Sequence, residues 1–169
     1  PQEAGPSGPS SQDLPRAVAL IVPRRGGEQD AAFQKILTAA LGIELAGAGL
    51  TARVAQANIS FSKDRGTLRG MHFQRAPFAE AKLIRCTRGA IWDAIIDVRP
   101  ASPTYRRWLG AELTAENHRM LYVPEGFAHG FLTLTDDVEV MYLVSEFYTP
   151  AAEGGVLVGG DAVVAAVRA

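Results

Sequence analysis

From about residue 52 onward, polar and apolar positions alternate in short runs. "ARVAQANISFS" comes first, followed by "AKLIRCTRG", "AIWDAIIDVR", "YRRWLGAEL", "RMLYVP", "GFLTLT" and "VEVMYLVSEFY". Each run is rich in β-branched and aromatic residues and is closed by Gly, Pro or Asp, with a break roughly every ten residues. That rhythm predicts an all-β antiparallel sandwich or barrel over about residues 50 to 158. Upstream, "AVALIV" at 17–22 has the texture of a short buried strand, stopped by Pro23. Phe33, Ile36, Leu37, Ala40 and Leu41 then recur at helical spacing behind a capping Asp30, which predicts one short N-terminal helix near 30–41. The opening "PQEAGPSGPSSQDLP", residues 1–15, is too poor in apolar side chains to order itself and is expected to be a flexible tail, leaving 16–169 as a single domain.

Composition narrows the class. The chain has 169 residues, 47% hydrophobic and 21% charged, enough to bury a core without staples. One cysteine, Cys86, excludes an intramolecular disulfide framework and fits a reducing, cytoplasmic setting. A formal net charge of -1 gives no electrostatic case for nucleic acid or an anionic membrane. No apolar run reaches the ~18 to 20 residues of a membrane span, and no glycine-rich phosphate loop precedes a helix.

Chemistry concentrates around two histidine phrases, "RGMHFQ" at 69–74 and "VPEGFAHGF" at 123–131. A metal site needs three or four ligands, often with two close together. "PEGFAH" fits the second histidine motif of the cupins, Pro-x-Gly-x-x-His, but the first motif would need His-x-His where this chain has "HFQ". His118, in "AENHR", reads as a solvated turn residue. The pattern argues against a catalytic metal and predicts no cofactor. His72 is then either a satisfied core histidine or a proton carrier, since imidazole titrates near neutrality. Arg69, Lys82, Asp93 and Tyr142 also fall in strand-like runs. Lys82, Arg69 and Asp93 could each face solvent, but a barrel aiming several such groups inward has a polar pocket rather than a dry core.

Three longer stretches, "GTLRGMHFQ", "AKLIRCTRGAIWDAIIDVRPASPTYRRWLGAELTAENHRMLYVPEGFAHGF" and "VMYLVSEFYTPAAEGGV", resemble the dTDP-4-dehydrorhamnose 3,5-epimerases over about residues 53 to 156. The resemblance implies a metal-free cupin, a double-stranded β-helix (jelly roll) that forms homodimers. It also implies inversion of C3 and C5 of a 4-keto-6-deoxy sugar nucleotide. By the same resemblance His72 is the base that removes the proton beside the ketone, Lys82 stabilises the enolate, and Tyr142 returns a proton from the far face. Asp93 and His129 match polar pocket positions. Arg69, Gln56 and Asn58 match residues that hold the diphosphate and sugar, and Tyr148 and Glu153 match contacts to the thymidine end.

The resemblance breaks at both termini. "RRGGEQDAAFQ" has no counterpart to the family's early D-x-R-G-x-F-x-E stretch, and "VLVGGDAVVAAVRA" has none to the segment that supplies an aspartate to the catalytic histidine. The lysine that usually follows the tyrosine is Leu143. Two rival functions stay open on the residues alone: the same proton-transfer pair acting on a non-nucleotide metabolite, and a non-catalytic cupin that only binds a small molecule.

Overall fold

The computed structural model describes residues 53–156, together with the strand Leu20–Ile21 and residues 46 and 50. The tail at 1–15, the helix expected near 30–41 and the stretch after 156 lie outside the described residues. Within them the expected all-β architecture is present. Ten strands run β1 Leu20–Ile21, β2 Gln56–Ser62, β3 Leu68–Gln74, β4 Lys82–Arg88, β5 Ala90–Asp97, β6 Trp108–Thr114, β7 Met120–Val123, β8 Phe127–Thr133, β9 Val138–Val144 and β10 Glu153–Gly155. They form two five-stranded sheets, ordered β1-β7-β4-β9-β2 and β10-β3-β8-β5-β6. Every pairing is antiparallel. Of the connections from β2 to β10, only that from β5 to β6 stays in one sheet, so the two layers are laced together along the whole domain.

Alternation along each strand decides what goes between the layers. In β4, Ile84 and Cys86 are fully buried and join Ile91, Ile95, Leu113, Leu121, Val123, Phe127, Phe131, Val138 and Val140 in the main core. The intervening Leu83 belongs to a second cluster with Leu50, Ala81, Met120 and Tyr122, on the opposite face of the first sheet. Cys86 sits so deep that burial raises its thiol pKa to about 11, which makes it an inert core residue. His118, expected in a solvated turn, directly follows the turn at 115–117 with positive φ, but it is half-buried and lies 3.4 Å from an Arg85 guanidinium nitrogen.

β2 reverses the usual arrangement. Gln56, Asn58 and Ser60 point toward the interior while Ile59 and Phe61 are exposed, at 69% and 50%. Since β2 is an edge strand, an apolar outer face and a polar inner one mark a wet cavity inside that edge.

β5 buries every second residue, Ile91, Asp93, Ile95 and Asp97. Two carboxylates therefore stand in phase with two isoleucines, and the option that Asp93 faces solvent is wrong: it is 0% exposed. Asp97 is the hub of the "RPASPT" loop. It accepts hydrogen bonds from the Arg99 backbone and guanidinium and from the Ser102 and Thr104 hydroxyls, at 2.6–2.9 Å. The guanidinium of Arg99 in turn stacks over Phe127 at 4.8 Å.

Burial opposes ionisation of Asp97, but the hydrogen bonds from Arg99, Ser102 and Thr104 outweigh it and hold the carboxyl far below the usual carboxylate range. A depressed folded-state pKa contributes stability that is complete above the unfolded value of about 4 and fades as pH falls below it. We expect Asp97→Asn to cost about 2–4 kcal/mol at pH 7 in urea denaturation. The gap to the native protein should narrow at pH 3, and a gap of constant size would contradict this account.

Candidate active site

At one end of the sandwich the two sheets part around a cavity of about 450 Å³. Nine of the ten site residues expected from the sequence line it: Gln56, Asn58, Arg69, His72, Lys82, His129, Tyr142, Tyr148 and Glu153. The tenth, Asp93, is not on the wall. It lies beneath it, with Oδ1 2.6 Å from His129 Nε2 and Oδ2 buried without a hydrogen bond. A proton on Nε2 donated to Asp93 fixes the imidazole plane of His129 against the cavity.

The wall from the second sheet depends on a bulge. Arg69 pairs with Phe131 and His72 with His129, so three steps along β3 match two along β8. In a regular strand Arg69 and His72, three residues apart, would point to opposite faces; the bulge brings them to one. The bulge needs glycine on both sides. Gly70 has φ +119, and a Cβ there would collide with Gly130 Cα and lie 2.8 Å from the His129 carbonyl. A Cβ on Gly130 would lie 2.7 Å from the Arg69 carbonyl. Arg69 then donates to Ser62 Oγ at 3.0 Å and to the Phe61 carbonyl at 3.1 Å, which holds its guanidinium over β2.

His72 is more than half exposed, and its Nδ1 lies 3.2 Å from Glu153 Oε1. Antiparallel pairing of β10 with β3 brings the two together. The other Glu153 oxygen accepts the Tyr148 hydroxyl at 2.8 Å, and that hydrogen bond raises the Tyr148 phenol above its ordinary pKa. From the first sheet come Lys82 at the head of β4 and Tyr142 on the adjacent β9. The Tyr142 hydroxyl takes no hydrogen bond among the described residues and is free to meet a ligand. His72 and Tyr142 thus reach one cavity from opposite layers.

Several wall residues escaped the sequence reading, Gln74 and Glu80 among them. Gln74, 4% exposed, donates to the Phe78 and Phe147 carbonyls and accepts from the Thr149 amide, tying the Tyr148 segment to the strand that carries His72. Its place two residues after His72 in a strand was the available signal. Glu80 ion-pairs with Lys82 at 3.0 Å, and in sequence it stands just before the strand-like run that begins at Ala81. Among the described residues no cluster of three or more His, Cys, Asp or Glu side chains is arranged to hold a metal ion, and no helix is long and apolar enough to cross a membrane.

The family model described as dTDP-4-dehydrorhamnose 3,5-epimerase matches residues 16–165. A relative of that description from Salmonella typhimurium is 40% identical over 146 residues, 86% of this chain and 78% of its own. A dTDP-4-dehydrorhamnose 3,5-epimerase from Bacillus anthracis, solved with TDP and PPi bound, superposes with a TM-score of 0.69 at 40% identity, covering 83% of this chain and 78% of that one. A 3'-monoepimerase from Streptomyces bikiniensis in complex with dTDP-quinovose gives a TM-score of 0.59 at 43% identity, over 62% and 52% of the two chains.

The crowding at the bulge makes a direct forecast. Gly70→Ala meets backbone rather than a yielding side chain and also strains φ, so it should lose about 2–4 kcal/mol. Gly66 also has a positive φ but nothing within 4 Å, so Gly66→Ala should cost only about 1 kcal/mol. Thermal unfolding of the two variants side by side checks the ranking, and equal losses would refute it.

Proposed function

We propose that this chain, which belongs to the dTDP-4-dehydrorhamnose 3,5-epimerase family, epimerises a dTDP-linked 4-keto-6-deoxyhexose at carbons flanking the ketone. The observation that carries the reading is the approach of His72 and Tyr142 to one cavity from opposite sheets, with Lys82 beside the tyrosine. Inversion at carbon needs a base on one face of the sugar ring and an acid on the other, and two facing layers supply that.

His72 acts as the base. With its proton on Nδ1, 3.2 Å from the Glu153 carboxylate, His72 has the lone pair on Nε2 available to take the hydrogen from the carbon beside the ketone. The C–H electron pair then forms the enolate, whose charge collects on the ketone oxygen. Imidazole cannot generate that anion unaided, so a fixed cation at the oxygen is required, and Lys82 fills the role. Protonation by the Tyr142 hydroxyl from the opposite face completes the inversion. Asp93 orients His129 as a polar wall group. Arg69, Gln56 and Asn58 hold the diphosphate and sugar, and Tyr148 and Glu153 flank the thymidine end.

The lacing of strands between two sheets supports the double-stranded β-helix expected from the resemblance. The chemistry assigned to these residues uses no metal or cofactor. The same reading includes a homodimer, for which the exposed Ile59 and Phe61 on edge strand β2 offer an apolar face to a second copy. It also includes a cytoplasmic setting, where nucleotide-linked sugars are made and the lone thiol stays reduced.

Two experiments test this reading. In deuterated water, His72→Ala should abolish exchange of the proton beside the ketone, whereas Tyr142→Phe should leave exchange partly intact and block inversion. Each effect should be about 10² to 10⁴ in rate. Normal exchange and inversion in folded His72→Ala would end the proposal. Light scattering should give twice the chain mass at micromolar concentration, and a monomer would count against the dimer.

A further inference from the structure

We infer that Glu80 is a positioning residue for Lys82, holding its ammonium at the cavity wall where the enolate oxygen will form; this rests on the function proposed above. The pair is nearly enclosed. The side chains are 11% exposed for Lys82 and 10% for Glu80, with Nζ and Oε1 3.0 Å apart. Both line the cavity. Lys82 is the described Glu80 carboxylate's one partner. Two opposite charges this poorly hydrated are held together, because separating them would leave each without a partner or water.

The backbone fixes this arrangement. Glu80 lies two residues before Lys82, and the alternation of β4 extends back to it. Ala81 and Leu83 face the second cluster, while Glu80 and Lys82 face the cavity. Ala81 is clamped to the end of β9, its amide donating to Ser145 Oγ at 2.8 Å and its carbonyl accepting from the Ser145 amide at 2.9 Å. The direction of the Glu80 side chain is therefore set by the sheet. Lysine has a flexible four-carbon stem with many rotamers open to it, so an ammonium without such an anchor would wander across the cavity mouth. The other acidic groups near the cavity are engaged elsewhere: Glu153, on the wall, with His72 and Tyr148, and Asp93, beneath it, with His129. Glu80 is the carboxylate committed to Lys82.

A positioning role through Lys82 differs from direct contact with substrate, and a double-mutant cycle separates them. Lys82→Met should slow exchange and inversion together by about a hundredfold or more. Glu80→Gln keeps the shape and removes the charge. It should lower kcat for both halves by about tenfold with KM within about twofold, and Glu80→Asp should recover part of the loss. The double variant should be no slower than Lys82→Met alone. Losses that multiply, or an effect confined to KM, would overturn the inference.

Reductive methylation followed by peptide mass analysis gives a readout that needs no turnover. Lys82 should be labelled about fivefold faster in folded Glu80→Gln than in the native chain, and equal rates would likewise overturn it. An inactive native protein would refute the functional reading, and the labelling ratio would still decide the role of Glu80.

Discussion

The backbones of Gly70 and Gly130 touch, and the geometry of the cavity follows from that contact. Because neither residue carries a Cβ, β3 can take one more residue than β8 over the same distance. The surplus residue turns Arg69 to the face already occupied by His72. Just past it β10 joins the sheet edge, with Gly155 opposite His72 and Glu153 opposite Gln74. His72, Glu153 and Arg69 are placed by hydrogen bonding of main chain rather than by flexible loops, and so they are in place before any ligand arrives.

Three couples of titratable groups surround the cavity: Lys82 with Glu80, His129 with Asp93 and His72 with Glu153. Their settings differ. The first two couples are nearly sealed from water, and each would leave a costly orphan if one member were removed. The third is open to solvent, with side-chain exposures of 57% and 41%, and contributes little to stability in the free protein. That gradient suits the proposed chemistry. The groups that stabilise charge are rigid and dry, whereas the group that must pick up and release a proton stays reachable from the mouth.

Much of this was legible in the chain, and the reasons for the remainder are specific. Strands announced themselves through alternation, because a sheet with one face on a core imposes a period of two. The pocket residues were legible by resemblance, and nine of them do meet. Asp93 was ambiguous because "WDAI" fits either face, and only the phase set by Ile91 and Ile95 reveals that it is buried. Glu80 gave no sign, since it stands just before the strand-like run in which alternation shows. The partnership of His72 with Glu153 joins positions 81 residues apart, and it arises from strand pairing that no local pattern encodes. The shared face of Arg69 and His72 could have been suspected from the glycine between them, because a glycine inside a strand often marks a bulge.

His72 and Tyr142 belong to different sheets that meet only through side chains, so the width of the gap between them is a property of the core. Layers of this kind lie about 10 Å apart, and the spacing is filled by groups such as Ile84, Ile95 and Val140. These residues touch no reacting atom in the proposed reaction, yet they act as its spacer. A bulkier or slimmer side chain there would move acid and base apart or together while leaving every polar group intact. The handedness of the product is thus calibrated in the oiliest part of the molecule, and drift in core volume is a route by which one scaffold could come to invert one centre, two or none.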